Sequence, residues 1–573
     1  MSVRTFSLIC AASLLFAPAA NAQSEARIKI IQPGITRLEE DLKYLIELSP
    51  TPALKKQWKT VKELIDSFAV GLDPLQPMRV DLVFGKKSLA YESHFPVTKL
   101  EGPNGFLQNI ADLGYKNKKE ATGLFSLTEG AKGAAKQLGY LRDANKYGSI
   151  APTKEAVPAN LAHPITEALK AYLAKGYDIA AELKNDPADA KGLADRRANF
   201  KELRTQLEAG IKFKRDEDKN TFELRKLSVV QNLAEAERFL VETELLTMNW
   251  ITDVVGKEGR GELSFAAIPG TDLHASAALL GAKPSQFSNV KAPETTLATG
   301  RINFTIDQLR TGHLKNFYKA FRPVLAAQLD GLESLTDADQ KTAAKQAGDL
   351  LLNILDASAT MGVLDGCMDL TAAGDGKHSF LGGIRAADGK AAEQILALFP
   401  RMLPGHEVKL NVATVAETSL HTLTVPAKRL TRFQKYFPGE TVVFLATSKE
   451  AVWLAIGPNA QADLTAAITA ATGPLPEMPD ATIASFSANM AELVEFYDAL
   501  APEKAESKGP KTTAQKEREK IRGLAAQAVA GCEPRLTTAF KRNGNAIEGT
   551  SVVSECALKF VGTLIADFAK SME

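Results

Sequence analysis

The sequence lacks the signatures of the common catalytic centres. None of the seven histidines (His94, His163, His274, His313, His378, His406 and His421) falls in an HExxH or HxH pattern. No pair is therefore spaced to share a zinc ion on one helix or strand face. A nucleophilic serine in a G-x-S-x-G elbow is absent, as is a C-x-x-C for zinc or dithiol exchange. Gly376-Lys377 and Gly389-Lys390 both lack the upstream glycine that lets loop amides surround a phosphate, and they run on into His378 and Ala391. Aromatic residues are few, at 7%, without the Trp/Tyr platforms on which sugars or bases stack. Neither sign of charge is in excess: 69 Lys and Arg stand against 68 Asp and Glu. The basic runs, such as Lys116–Lys119 and Arg196-Arg197, are short and interleaved with acids, so they read as solvated faces. A nucleic-acid or anionic-membrane surface would need Lys and Arg clustered. No cofactor is expected.

Long apolar runs are also missing. The longest, Leu350–Leu364, is interrupted by Asp356 and falls short of the roughly 18 residues a membrane span requires. The first residues read instead as an export leader, with Arg4, an apolar Phe6–Ala17 and a small-residue site at Ala20-Asn21-Ala22. Leu8-Ile9 rules out lipidation of Cys10. Cleavage after Ala22 is expected, giving a periplasmic or extracellular chain without a transmembrane segment. Arg4 is the leader's one charge, so 68 basic residues would then balance 68 acidic ones.

Three cysteines follow the leader. Cys532 and Cys556 flank an expected hairpin, Arg535–Val553, turning at Asn543-Gly544-Asn545. A three-residue loop sets Cys532 opposite Cys556. A two-residue Asn543-Gly544 loop sets Glu555 there instead. Export favours the bridged arrangement. Cys367 is left over and reads as a buried thiol on a strand.

What the sequence does have is repetition. Ile150–Val157 (IAPTKEAV) and Leu445–Val452 (LATSKEAV) share five identities, and Arg301–Phe304 (RINF) echoes Arg27–Ile30 (RIKI). Around them the pattern recurs: a strand, two amphipathic helices, a hairpin, a helix, strands, a helix, a strand, helices and closing strands. Ile35–Leu48 and a helix capped by Thr51 and stopped at Gly71 form the first helix pair. Phe222–Trp250 reads as one long helix. Thr441–Ile456, nearly all apolar, reads as a central hairpin covered on both faces. The fold class expected is α+β, with two tandem related units of antiparallel hairpins and sheets under amphipathic helices. They occupy residues 23–290 and 291–573, after a signal peptide at 1–22.

Three constellations merit a chemical reading, and each has a blander alternative. His406 and His421 could meet across neighbouring strands, but without a third ligand they read as solvated strand ends. Asp216-Glu217-Asp218-Lys219-Asn220 opens like a calcium loop. It has Thr221 where the turn needs glycine and Leu227 where a bidentate Glu is needed, so it reads as a helix start. Asp365 and Asp369 resemble a carboxylate pair that nothing singles out among 68 acids.

The leader, the helices LEEDLKYLIEL and KKQWKTVKELIDSF, the strand MRVDLVFG and the segment TVVFLATSKEAVWLAIGPNA together resemble exported proteins of unknown function from planctomycete-type bacteria. That resemblance implies a duplicated α+β fold in the cell envelope and carries no catalytic or ligand residues. The functional expectation is a non-enzymatic binding or scaffold module with an envelope partner. A carrier of an apolar ligand such as a lipid is the alternative, and a hydrolase with a motif-free site is the third reading.

Overall fold

The structure, a computed structural model, describes residues 26–570 apart from 85–88, 113, 130–136, 145, 158, 160–162, 216, 428–435, 438–440, 476–481 and 492–512. The expected leader, the Lys86-Lys87 turn and most of the helix and linker expected over 491–512 lie outside these residues.

The strands of the first half are β1 (Ala26–Gln32), β2 (Met78–Phe84), β3 (Leu89–Pro96), β4 (Tyr115–Ala121), β5 (Leu124–Glu129), β6 (Gln137–Ala144), β7 (Tyr147–Ala151), β8 (Ile179–Lys184), β9 (Thr243–Asp253) and β10 (Glu258–Ala267). Those of the second are β11 (Thr296–Thr305), β12 (Val363–Ala372), β13 (His378–Arg385), β14 (Glu407–Val415), β15 (Thr418–Val425), β16 (Thr441–Thr447), β17 (Ala451–Ile456), β18 (Thr482–Asn489), β19 (Arg535–Asn543) and β20 (Ala546–Ser554). All are antiparallel neighbours in one sheet. Its order is β4-β5-β6-β7-β3-β2-β1-β8-β9-β10, then β20-β19-β18-β11-β12-β13-β17-β16-β15-β14. Read inward from its own edge, each half has the same order, with every strand answering the one ten places away. The halves join where β10 lies along β20, Glu258 opposite Ser554 and Ala266 opposite Ala546.

The chain is α+β, as its pattern implies, but the repeated peptides are not the markers of the repeat. Ile150 and Ala151 end β7, and the rest of that octapeptide lies beyond it. Leu445–Val452 instead ends β16, turns and opens β17. The hairpin β6–β7 answers β16–β17, so the two octapeptides sit a strand apart in their halves. Laying β3 and β13 end on end and following the ladders sets Arg301 against Ile31, not Arg27. The likeness lies in topology, not in these short identities. The β16–β17 hairpin also lies toward one end of the sheet rather than at its centre.

Antiparallel alternation sends successive residues to opposite faces. On one face, helices lie in two ranks across the strand ends. Ala190–Ala209, α7 (Lys219–Glu242) and Asp272–Leu279 of the first half join Gln308–Asp330, Ala338–Met361 and Ala392–Met402 of the second. Phe200, Leu240 and Leu273 pack there on Leu183, Leu246 and Phe265. The opposite rank joins α1 (Ile35–Glu47) and Trp58–Ala69 of the first half to α14 (Glu555–Lys570) of the second, burying Ile46, Val61 and Ala566 together. A Cβ at Gly562 would lie on Leu45 O, so that glycine sets how closely α14 crosses α1. Each rank draws on both halves. The second face carries Glu167–Leu173 over β1 and β7, and Ala460–Ala471 over β13, β16 and β17.

Residue 290 does not divide the molecule cleanly. Phe287 and Val290 belong to the second half's core, where the Phe287 ring meets Trp453 edge-on at 5.0 Å. The expected Phe222–Trp250 helix stops at Glu242, and Thr243–Asp253 runs on as β9. Its β-branched Thr243, Thr247, Ile251 and Thr252 suit a pleated strand better than a helix. Among the described residues no helix is long and apolar enough to cross a membrane. Both outer strands are poor templates for further pairing: β4 displays Lys116, Lys118 and Lys119, and β14 is broken by a bulge around Asn411, at φ 55°.

Candidate binding trough

Between the two helix ranks the middle of the sheet is open, and its floor is apolar. Ile179, Met248 and Ile384 are 47%, 52% and 44% exposed, with exposed Met368 on the same face. Strand alternation puts Trp250, Leu263, Phe540, Phe486 and Ile302 there too. Exposed side chains of this size are unremarkable singly but not as a contiguous strip.

Glycine shapes the floor. Trp250 lies opposite Gly261 and also covers Gly259, where a Cβ would come within 2.5 Å of its ring. Phe540 lies opposite Gly549 in the matching place, with a Cβ there 2.7 Å from the ring. Each aromatic lies flat on its neighbour strand because the partner has no side chain. In the second half the floor sinks into a hollow of about 400 Å³, lined by Gly300, Ile302, Gly366, Met368, Ala484 and Phe540 among others. The counterparts of Gly300, Gly366, Ala484 and Thr538 in the first half are Ile30, Met78, Ile179 and Met248. Smaller residues at these four places make the depression. The strands beneath it are each hydrogen-bonded on both sides, so the floor offers few backbone donors or acceptors.

The opposite face holds a buried ion cluster. Fully buried Asp81 accepts from Arg27 Nη1 at 2.7 Å and Arg79 Nε at 2.6 Å, and Glu92 accepts from Arg27 Nη2 at 3.2 Å. Burial works against the Asp81 charge, but hydrogen bonds and charge from Arg79 and Arg27 outweigh it and hold its pKa below the ordinary value. Asp81, Glu92 and His94 lie close enough to share a metal ion, the one such group among the described residues. Two guanidiniums already neutralise its two carboxylates, and burial presses His94 down to about 4. A cation there would have to displace Arg27. Asp369 holds the place of Asp81 in the second half and takes both nitrogens of Arg301, at 2.9 Å each.

The residues singled out from the sequence do not gather into one site. Cys532 and Cys556 are bonded, with Cα atoms 5.8 Å apart, but not as cross-strand partners. The loop is Gly544-Asn545, which pairs Leu536 with Val553 and leaves both cysteines beyond the ladder. The bridge ties the approach to β19 to the first turn of α14. Cys367 is buried on β12, and burial raises its thiol to about 12. Asp365 accepts from Ser285 Oγ and the Gln286 amide, apart from Asp369. Asp218 caps α7 through the Asn220 and Thr221 amides. Lys118 pairs with Glu120 and Lys119 with Glu101, while Arg196 is buried rather than solvated.

His421 is no solvated strand end but fully buried, and His406 turns back to Leu403 O. The Asn411 amide donates to His421 Nδ1 at 3.1 Å. The proton therefore sits on Nε2, which faces Thr447 Oγ1 at 2.8 Å, and Thr447 donates onward to Glu393 at 2.8 Å. The imidazole gives a proton to the hydroxyl's oxygen instead of taking one from it, the reverse of nucleophile activation. Ser288 and Lys291 have S-x-x-K spacing. They sit in irregular chain, Ser288 donating to Ser285 O at 2.8 Å. None of the sequence motifs points to the trough, although in-strand glycines opposite aromatics are its visible signal. Comparison with known protein families, with characterised proteins and with solved structures finds no match to this chain.

Proposed function

We propose that this protein is a non-enzymatic binding module of the cell envelope whose trough takes one extended apolar ligand, of the kind a lipid acyl chain provides. The observation that carries this reading is the hollowed, solvent-facing apolar floor between two helical walls. Its volume lies within the roughly 300–1,000 Å³ usual for small-ligand sites. An extended peptide would seek backbone partners, and these strands have none to spare. An acyl chain needs none. Export fits the leader, the bridged cysteines and the balanced charge. The matching strand orders support descent of both halves from one copied unit, with the hollow retained or acquired in the second.

The test is mass spectrometry of organic extracts from protein purified without detergent, wild type beside the double variant Ala484→Ile, Thr538→Met. Those substitutions install the first half's residues and fill the hollow. Every ligand methylene that stays in water instead of the hollow weakens binding by about 0.8 kcal/mol. Displacing about three weakens binding roughly fiftyfold. A stoichiometric apolar compound in the wild type, depleted in the folded variant, is expected. Absence of any such compound, together with no uptake of a fluorescent fatty acid, overturns the reading.

A further inference from the structure

Outside the trough, one buried cluster carries more negative charge than its partners neutralise. Asp41 on α1 and Asp178, just before β8, are both more than nine-tenths buried. Asp178 takes Arg37 Nε at 2.8 Å and the Thr252 amide. Asp41 Oδ1 makes no hydrogen bond to any donor, its nearest cation being the same Arg37 Nε at 3.7 Å. The Asp41 carboxyl lies within hydrogen-bonding reach of Asp178. One partly exposed guanidinium thus faces two buried carboxylates.

The charged neighbours do not repair the imbalance. On α1 itself, Glu40 reaches Arg37 at 3.7 Å and adds negative charge, while Glu39 is occupied with Lys62 of the helix Trp58–Ala69 at 3.2 Å. From α14, Glu555 faces Tyr44 and pairs with Lys257 at 3.7 Å. Asp253, at the end of β9, adds a further acid near Tyr44 and pairs with Arg260 at 3.5 Å.

We propose that Asp41 and Asp178 share one proton in mildly acidic solution, and that this proton fastens α1, part of the trough's wall, to the sheet as a pH-sensitive latch that loosens toward neutral pH. Burial first, then the Asp178 charge, lifts Asp41 to about 7, in keeping with this geometry. The folded pKa is raised, so the folded state binds more protons than the unfolded. Stability from the latch is full below the ordinary Asp value near 4 and is lost as pH rises toward about 7. Asp178 keeps its hydrogen bonds from Arg37 and the Thr252 amide.

Hydrogen exchange of the peptide 35–47, measured by mass spectrometry between pH 4.5 and 8, tests this on the full chain beside Asp41→Asn. Asparagine copies the protonated carboxyl in shape and donor. The ratio of wild-type to variant opening is expected to rise with pH by up to about tenfold per unit, levelling above about 7. A ratio that stays flat overturns the latch. The infrared carbonyl band of a protonated aspartic acid, present at pH 6 and absent in Asp41→Asn, reads the proton directly. Its absence from the wild type likewise overturns the proposal. Neither readout depends on what the trough binds.

Discussion

Removing Asp81 should expose how much the buried polar face contributes. Asp81→Ala deletes the acceptor for Arg27 Nη1 and for two nitrogens of Arg79. Arg27 keeps Glu92, but Arg79 is left with the Pro164 carbonyl at 2.6 Å. Arg79 is largely buried, and its charge loses its counter-ion without gaining water. Breaking a buried pair from one side costs about 3–5 kcal/mol, far above the ~1 kcal/mol of an exposed pair. Urea unfolding at pH 7 should therefore place the variant about 3–5 kcal/mol below the wild type. Asp81→Asn, which keeps the shape and one acceptor, should fall between. The pH dependence carries a sign. Because the folded pKa of Asp81 is depressed, its contribution is complete above the unfolded value near 4 and is lost as pH falls through the folded one. The gap between wild type and Asp81→Ala should narrow in acid. A loss under about 1 kcal/mol at pH 7, or a gap that does not narrow, refutes the account of this cluster.

Two further outcomes follow from the cysteines. Replacing Cys532 and Cys556 together by serine, or reducing the bridge, should cost about 3 kcal/mol in the chain-entropy picture, for a loop closed across 24 residues. Thermal melting with and without reductant checks it, and an unchanged midpoint would show the bridge to be mechanically idle. Cys367, buried with its thiol raised to about 12, should resist iodoacetamide at pH 8 in the folded chain and react once unfolded. Rapid labelling of the native protein would contradict its placement in the core.

The α+β pattern and the succession of elements in both halves are legible because they are written in local periodicity. The helix pair after β1 and the Thr51 cap follow from residues within one turn of each other. What joins the halves is not legible. β10 meets β20 across nearly the whole second half of the chain, and neither GELSFAA nor AIEGTSVVS names its partner. In β2, alternation correctly puts Val80, Leu82 and Phe84 on one face. It implies water for Arg79 and Asp81, where the structure has a helix-covered ion cluster. β9 reads as helix because the helical spacing of Leu233, Leu240 and Leu245 continues past Glu242, and only sheet pairing with β8 and β10 overrides it. That misreading hides Met248 and Trp250 from the trough. The octapeptide misleads for a simpler reason: short identities arise between turns of similar composition, whereas register is set by ladders.

The seam between β10 and β20 has a consequence for how the chain comes to be. β10 is complete by residue 267, yet the strand that shields its outer edge spans residues 546–554. Until those last strands arrive, a nascent chain carries a long bare edge, and α1 waits for the C-terminal helix that covers it. Such late closure makes the first half a partner for any other unfinished copy nearby. Truncations near the C terminus should therefore yield aggregates of the N-terminal portion rather than a working half-molecule.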